Sequence, residues 1–152
     1  MKMRNPKKSL GQNFLIDKNI INTIIDAGNI NKNDTVLEVG PGTGNLTEKI
    51  VSKKPKQIFA IEKDFYLAKK LRERFGEKIT LIIDDILRID EKKFSSNPMI
   101  VFGNLPYNIS TQILIKWIRY NCLNSIFKRF ILMFQKEVAE RIIAETNNKN
   151  YG

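Results

Sequence analysis

Continuous runs of apolar residues, rich in β-branched and aromatic side chains, alternate along the chain with segments in which apolar residues recur at helical spacing. Runs that are apolar at successive positions are typical of strands buried on both faces of a parallel sheet. Each run is short and is bounded by polar or glycine-containing segments, as strands are. The pattern predicts five buried strands, at residues 35–40, 57–61, 79–83, 99–104 and 129–134.

The segments between these strands have apolar residues three or four positions apart, which predicts amphipathic helices. An early helix covers residues 17–27 and ends near Gly28, and a later one begins behind Asp64 as its N-cap. The predicted buried faces are Leu46, Ile50 and Val51; Phe65, Ala68, Leu71 and Phe75; Leu114, Trp117 and Ile118; and Val138, Ile142 and Ile143. Strands alternating with helices predict an α/β fold with a parallel sheet of right-handed βαβ units, in one domain over residues 1–152.

In a sheet of this kind a ligand binds at the carboxyl ends of the strands, so the residues directly after each strand are the candidates for chemistry. The first strand runs into EVGPGTG, whose glycines are Gly40, Gly42 and Gly44. Alternate glycines let the backbone turn sharply and approach a ligand just before a helix begins. The spacing differs from the G-x-G-x-x-G of dinucleotide-binding folds. It is the pattern that holds S-adenosylmethionine, although an ordinary tight turn would also use these glycines.

Acidic residues follow the second and third predicted strands. Glu62 ends the second strand roughly 20 residues after the glycines, a spacing at which a carboxylate accepts hydrogen bonds from both ribose hydroxyls. After the third strand, Asp85 is expected to accept a hydrogen bond from the exocyclic amine of a cofactor adenine, while Ile86 and Leu87 pack on the ring. Asp84 is a competing candidate for the same contact. Strand alternation favours Asp85, because it places this residue just outside the strand.

The fourth strand runs into the predicted catalytic residues, which are Asn104, Leu105, Pro106 and Tyr107. An [N/D]-P-P-Y-like tetrapeptide of this kind marks enzymes that methylate an exocyclic amine, a weak nucleophile because its lone pair is delocalised into the ring. The side-chain carbonyl of Asn104 and a neighbouring backbone carbonyl can accept the two N–H groups and direct the lone pair toward a methyl donor. Tyr107 can stack on the base. The alternative is an Asn-Pro turn with a core tyrosine.

Composition excludes several other chemistries. The sequence has no histidine and one cysteine, Cys122, which excludes histidine-dependent nucleophilic catalysis, histidine-ligated or multi-cysteine metal sites and an intrachain disulfide. The longest apolar run has five residues, at 130–134, far short of the roughly 20 that cross a bilayer. The basic N-terminus leads into no apolar signal segment. We therefore expect no metal, no membrane association and a cytoplasmic location.

Positive charge predicts a polyanionic partner. Lys and Arg total 26 against 16 Asp and Glu, for a formal net charge of +10. Such a balance favours nucleic acid, the commonest polyanion, through counterion release. No acid precedes Asp17, and the basic residues before it form an arm that can lie along phosphates: Lys2, Arg4, Lys7 and Lys8. A coding bias toward Lys, Asn and Ile is the alternative explanation.

Five stretches together resemble one known family, the ribosomal RNA adenine N6-dimethyltransferases, and within it the small-subunit, 16S-type branch. They are KSLGQNFL at 8–15, EVGPGTG at 38–44, AIEKD at 60–64, FGNLPYNIST at 102–111 and FQKEVAER at 134–141. The resemblance implies a class I S-adenosylmethionine-dependent methyltransferase fold, similar to the Rossmann fold. It also implies dimethylation of N6 of two adjacent adenosines near the 3′ end of 16S rRNA, within the small ribosomal subunit or its precursor.

The resemblance further implies a set of cofactor contacts: Asn13, Leu15, Gly40, Glu62, Asp85 and Asn104, with Gln12 contributing to the pocket. The chain departs from the family at its C-terminal end. The family continues with two more strands, a loop that closes on the target adenine and a small helical RNA-binding domain. We therefore expect a parallel-sheet core truncated after about the fifth strand.

Several alternative functions remain at this point. One is a non-catalytic methyltransferase-like fragment that binds rRNA or pre-ribosomal particles. The antibiotic-resistance branch, which acts on large-subunit rRNA, shares the fold and most motifs, although GPGTG and NLPYNIS resemble the small-subunit branch more closely. A DNA adenine methyltransferase would need a target-recognition segment and base flipping. A nicotinamide-dependent oxidoreductase would need a different glycine spacing.

Overall fold

The structure, a computed structural model, describes residues 15–149. Its five strands form one parallel sheet in the order β3-β2-β1-β4-β5. The strands are β1 (Thr35–Val39), β2 (Gln57–Ile61), β3 (Thr80–Ile82), β4 (Met99–Asn104) and β5 (Phe127–Met133). The helices are α1 (Lys18–Gly28), α2 (Asn45–Ser52), α3 (Phe65–Phe75), α4 (Ser110–Asn124) and α5 (Lys136–Ile143), with 3-10 turns at Gly76–Lys78, Ile86–Arg88 and Glu91–Lys93. The predicted α/β fold with five parallel strands is confirmed.

Strand β5 begins two residues earlier than the apolar run predicts. Its register with β4 shifts between Met99, which pairs with Phe127, and Ile100, which pairs with Arg129. Lys128 therefore lies at an irregularity in the ladder, and its ammonium forms an ion pair with Asp34 at 2.9 Å. The sequence pattern missed this start because a lysine interrupts the apolar run.

Hydrophobic cores lie on both faces of the sheet, since successive residues of a strand point to opposite faces. On one face, Val36 of β1 packs with the helices α1, α2 and α3, through Ile21, Ile25, Leu46, Ile50, Leu71 and Phe75. On the other face, Leu37 and Val39 belong to a core with the 3-10 turn Ile86–Arg88, α4 and β5, through Ile86, Ile113, Trp117 and Phe127. Because both faces are covered, the strands are apolar at successive positions.

The observed buried faces of α3 and α4 differ from the predicted ones. In α4, Ile113 and Trp117 are fully buried, whereas Ile118 is 49% exposed. In α3, Leu67 is buried, whereas Phe65, the first residue after the N-cap, is 72% exposed. Neighbouring residues lie about 100° apart around a helix, so one of two adjacent apolar residues turns away from the core. The sequence spacing did not decide which one.

The predicted apolar face of α5 is largely uncovered. Val138 is half-buried, but Ile142 and Ile143 are 49% and 78% exposed. The prediction that these two isoleucines are buried is therefore wrong for the described part of the chain. An amphipathic pattern predicts a helix that has an apolar face, whereas burial of that face also requires a packing partner.

Residues 15–149 contain neither a membrane-spanning helix nor a metal-binding cluster of side chains. No helix in this range has the length and apolar character that crossing a bilayer requires. The same range contains no cluster of three or more His, Cys, Asp or Glu side chains that could hold a metal ion. The thiol of Cys122 is free and lies on the exposed surface.

Helix α1 ends at Gly28 against the buried ring of Phe102. A β-carbon at Gly28 would lie 2.3 Å from Cζ of Phe102. The carbonyl oxygen of Gly28 also accepts a hydrogen bond of 2.7 Å from Nη1 of Arg129. The helix end is thus held close to the sheet from two sides, and glycine is required by this close approach.

We expect Gly28→Ala to lower the free energy of unfolding by about 1–3 kcal/mol, the usual cost of overpacking a buried site. The Phe102 ring is fully buried, and protein cores are close-packed, so moving the ring displaces its neighbours. Urea unfolding followed by circular dichroism measures the change, with Asn22→Ala on the exposed side of α1 as the matched control. Equal stability of the two variants would contradict the close approach of helix and ring.

Candidate active site

The parallel register brings three predicted site segments to one edge of the sheet. Val39, the last residue of β1, pairs with Ile61 of β2 and with Gly103 of β4. The residues that follow these three positions are Gly40, Glu62 and Asn104. They therefore lie side by side at the carboxyl ends of the strands, where an α/β sheet binds its ligand.

The glycine loop lies directly against the segment that follows β4. A β-carbon at Gly40 would lie 3.0 Å from the carbonyl oxygen of Asn104. Gly40, Gly42 and Gly44 have φ angles of 71°, 59° and 83°, a region that residues with side chains rarely adopt. A β-carbon at Gly44 would also lie 2.7 Å from the ring of Phe75. The backbone of this loop therefore requires glycine, and the loop meets the predicted catalytic segment.

Glu62 holds the glycine loop in place from the end of β2. Its Oε2 accepts a hydrogen bond of 3.1 Å from the N–H of Gly42, and its Oε1 accepts one of 2.9 Å from the N–H of Asp64. The residue is 6% exposed, and this burial raises the pKa of its carboxyl, while the two N–H donors oppose the shift. Each oxygen keeps lone-pair capacity for a further donor, such as a ribose hydroxyl.

A second buried acid, Glu38, lies on β1 below the glycine loop. It is 1% exposed, and neither of its carboxylate oxygens has a hydrogen-bond partner among residues 15–149. Burial raises the pKa of Glu38 to about 8; the nearby Thr47 hydroxyl opposes this shift, and the charge of Glu62 adds to it. Glu38 is not among the site residues that the sequence predicts. The available signal was an acid inside the apolar strand TVLEV.

Asp85 begins the 3-10 turn Ile86–Arg88. Its Oδ1 accepts a hydrogen bond of 3.0 Å from the N–H of Leu87, and its Oδ2 lies 2.7 Å from the ammonium of Lys63, the residue after Glu62. The hydrogen bond from Lys63 lowers the pKa of Asp85. Asp84 is exposed and accepts a hydrogen bond of 2.6 Å from the N–H of Asp85. Asp85 is thus the one of the two that is linked to the Glu62 strand end, and its adenine contact stays a prediction.

The two apolar residues predicted to pack on the adenine ring are placed differently. Ile86 is 4% exposed and belongs to the core on the α4 side of the sheet. Leu87 is 38% exposed. Ile86 therefore supports the turn from below, whereas Leu87 keeps surface available for a ligand.

The segment after β4 is fixed to the start of α4. Leu105 is 1% exposed and packs against Gly103, where a β-carbon would lie 2.7 Å from Leu105 Cδ2. The carbonyl oxygen of Pro106 accepts a hydrogen bond from the N–H of Ile109 at 3.1 Å, and that of Tyr107 accepts one from Oγ of Ser110 at 3.2 Å. Leu105 is thus an anchor in the core, while Asn104, Pro106 and Tyr107 are only partly buried.

Only one of the predicted N-terminal cofactor contacts, Leu15, lies within the described residues. Gln12 and Asn13 lie outside the described residues. The carbonyl oxygen of Leu15 accepts a hydrogen bond of 2.8 Å from Nδ2 of Asn45, the first residue of α2. The structure therefore brings Leu15 next to the end of the glycine loop, and its contact with the cofactor stays a prediction.

Comparison with known proteins identifies the family. Residues 3–152 match the protein family described as ribosomal RNA adenine dimethylase. The chain belongs to this family. The match confirms the family resemblance and, with it, S-adenosylmethionine as the family's cofactor.

The chain is similar to curated proteins with the name ribosomal RNA small subunit methyltransferase A. The protein of Pelagibacter ubique is 55% identical over 146 residues, which cover 96% of this chain and 55% of that protein. The protein of Ehrlichia ruminantium is 47% identical over 154 residues, which cover 99% of this chain and 57% of that protein. The chain thus spans a little over half the length of these relatives.

Two solved structures share the fold. A dimethyladenosine transferase from Plasmodium falciparum superposes with a TM-score of 0.80 at 32% identity, covering 92% of this chain and 50% of that one. The 23S rRNA methyltransferase ErmE superposes with a TM-score of 0.73 at 30% identity, covering 85% of this chain and 50% of that one. The predicted class I methyltransferase fold is confirmed.

The raised pKa of Glu38 predicts a pH-dependent stability. Folding favours the protonated form, so the free energy of unfolding is highest below the ordinary pKa of 4.5 and falls as the pH rises toward about 8. Glu38→Gln, which mimics the neutral acid, removes this loss. We expect its melting temperature relative to the unchanged chain to increase steadily from pH 5 to pH 8.

Thermal unfolding at several pH values measures this difference. Glu73→Gln, on the exposed side of α3, is the control for loss of one negative charge. A Glu38→Gln difference that stays constant from pH 5 to pH 8 would show that Glu38 titrates at its ordinary pKa.

Proposed function

We propose that the chain is the cofactor-binding part of an enzyme that transfers methyl groups from S-adenosylmethionine to N6 of two adjacent adenosines near the 3′ end of small-subunit rRNA. The main support is the close approach of the glycine loop to the catalytic segment. A β-carbon added at Gly40 would lie only 3.0 Å from the carbonyl oxygen of Asn104. The names of the curated relatives and the net charge of +10 support an rRNA substrate. The proposal includes the small subunit or its precursor as partner and the cytoplasm as the place of action.

The residues at this edge fit an S-adenosyl cofactor. The three glycines of the loop have positive φ angles and no side chains, and the loop lies beside the start of α2. A ligand can therefore approach the loop backbone closely. The lone pairs that Glu62 keeps beyond Gly42 and Asp64 can accept the two ribose hydroxyls. When bound, the cofactor supplies an electrophilic methyl group on a positively charged sulfur. The carboxylate of Asp85 would accept a hydrogen bond from the exocyclic amine of the cofactor adenine.

The catalytic segment orients the target amine. The side-chain oxygen of Asn104 and a neighbouring backbone carbonyl accept the two N–H groups of the adenosine N6, which favours a pyramidal nitrogen with its lone pair available. Leu105 in the core and the hydrogen bonds at Pro106 and Tyr107 fix these acceptors before the substrate arrives. Tyr107 stacks on the base, a contact worth about 1–3 kcal/mol. Acceleration then comes from orientation and preorganised acceptors.

We expect Glu62→Gln to weaken S-adenosylmethionine binding by roughly tenfold to a hundredfold, because hydrogen bonds to a charged acceptor contribute about 1.5–3 kcal/mol. The amide keeps the size of the side chain but removes the charge and one acceptor oxygen. Isothermal titration calorimetry measures the dissociation constants of both forms.

The matched control for this variant is Glu77→Gln. Glu77 is an exposed glutamate in the 3-10 turn Gly76–Lys78, which precedes β3 and so lies at the amino ends of the strands, opposite the site. Its variant should bind the cofactor as the unchanged chain does. Equal affinities of Glu62→Gln and Glu77→Gln would refute the ribose contact.

We expect Asn104→Ala to reduce methyl transfer by roughly a hundredfold or more, the effect of removing one preorganised hydrogen-bonding group from an active site. Cofactor affinity should fall much less, because Asn104 acts mainly on the target amine. Transfer of radiolabelled methyl groups to undermethylated small ribosomal subunits measures the first quantity, and calorimetry the second. Asn108→Ala, an exposed position in the same loop, is the matched control.

Two outcomes would contradict this division of roles. Equal losses of cofactor binding and methyl transfer in Asn104→Ala would show that the residue serves only the cofactor. Salt-dependent binding of the unchanged chain to the subunits without any transfer would instead support the non-catalytic binding module.

A further inference from the structure

The turn that faces the predicted adenine position has little regular structure to hold it. Residues 85–93 consist of two 3-10 turns, Ile86–Arg88 and Glu91–Lys93, joined by an irregular stretch. Asp85, the predicted adenine contact, is the N-cap of the first 3-10 turn, and Leu87 within that turn is 38% exposed. Its position therefore depends on contacts made to it by other elements.

Lys63 holds Asp85 at the start of this turn through their ion pair, and the backbone that follows is held by Lys116 of α4. The Lys116 ammonium donates to the carbonyl oxygen of Ile86 at 2.8 Å, to that of Ile89 at 2.6 Å and to Oε1 of Glu91 at 3.0 Å. An ammonium has three N–H donors, so all three donors of Lys116 are used on the stretch 86–91. The Lys116 side chain is 16% exposed, which limits competition from water. This is unusual for a lysine in a helix, where the charge is normally solvated.

The ammonium is itself fixed by the core. Oε1 of Glu91, which is fully buried, also accepts a hydrogen bond of 2.7 Å from Nε1 of Trp117. Trp117 is fully buried and packs against the rings of Phe127 and Phe130 of β5. Lys116, Glu91 and Trp117 thus form a buried brace between α4 and the adenine-facing turn.

The same helix follows directly after the catalytic segment. Helix α4 begins at Ser110, whose hydroxyl donates to the carbonyl oxygen of Tyr107. Lys116 lies six residues further along, about 9 Å at the rise of an α-helix. One rigid element therefore connects the predicted acceptor of the target amine with the turn at the adenine.

From this geometry we infer that Lys116 is a positioning residue that sets the adenine-facing turn relative to the catalytic segment. Its three donors are used within the protein, and it acts through the carbonyl groups of Ile86 and Ile89. Its contribution is selectivity for the adenine base, since the turn begins at Asp85. The inference rests on the proposed cofactor site. We therefore expect a chain with a loosened turn to discriminate less between two kinds of cofactor base. One carries a hydrogen-bond donor on C6 of the purine ring, as adenine does, and the other carries an acceptor there.

The test compares S-adenosylhomocysteine with its hypoxanthine analogue, in which a carbonyl oxygen replaces the adenine amine. We expect the unchanged chain to prefer the adenine form by roughly tenfold or more, because the carboxylate of Asp85 would meet an acceptor in the analogue. Calorimetry gives both dissociation constants, and their ratio is the readout. A merely structural role of Lys116 would change stability or both affinities and leave this ratio constant.

The test variant is the double substitution Lys116→Met with Glu91→Gln. Removing the lysine alone would leave the buried carboxylate of Glu91 without a positively charged partner. The amide that Glu91→Gln introduces is neutral, and its oxygen can still accept the hydrogen bond from Trp117. We expect the ratio to fall roughly tenfold, within the range of coupling between linked sites. Lys116→Arg keeps the charge beside Glu91 but shifts its donors off the two carbonyl oxygens, and it should lower the ratio to an intermediate value.

The matched control is Lys128→Met. Lys128 also pairs with a buried acid, Asp34, but at the amino ends of the strands, opposite the site. It should lose stability and keep the ratio. An unchanged ratio in a folded Lys116 variant, judged by circular dichroism, overturns the inference. If the unchanged chain binds neither ligand, the proposed function fails as well; if it binds both equally, only the role assigned to Lys116 and Asp85 fails.

Discussion

The register of β1 with its two neighbours is the constraint on which the site depends. Val39 pairs with Ile61 on one side and with Gly103 on the other, so that Gly40, Glu62 and Asn104 leave the sheet at the same level. A slip by one residue would turn each strand over and exchange its two buried faces. The two hydrophobic cores therefore specify the register, and the register specifies the site. Stability and chemistry are linked through the same pairing of strands.

Buried polar groups then fix the loops above the sheet. Glu62 accepts N–H groups from the glycine loop and from the start of α3, so one carboxylate holds two loops together. The loop that follows β4 is fixed by Leu105 and by the first turn of α4. These contacts are made within the protein itself, and fixing loops in this way is the preorganisation that catalysis by orientation requires.

The sequence predicted those features that depend on local pattern. Five strands, the N-cap at Asp64 and the glycine loop follow from apolar runs, capping chemistry and backbone conformation, and all are observed. The pattern failed where burial depends on a distant partner, as for Ile118 and Phe65, which turn away from the core. It also gave no indication of the contacts of Lys116, because its acceptors lie about thirty residues away along the chain. Charged residues in a helix ordinarily indicate a solvated face.

The most direct measurement is a crystal structure of the chain with S-adenosylhomocysteine. We expect the ligand to lie along the glycine loop, with its ribose hydroxyls on Glu62 and its sulfur facing the side chain of Asn104. A ligand bound elsewhere, or a catalytic segment turned away from the glycines, would contradict the claim that both halves of the reaction meet at this edge of the sheet.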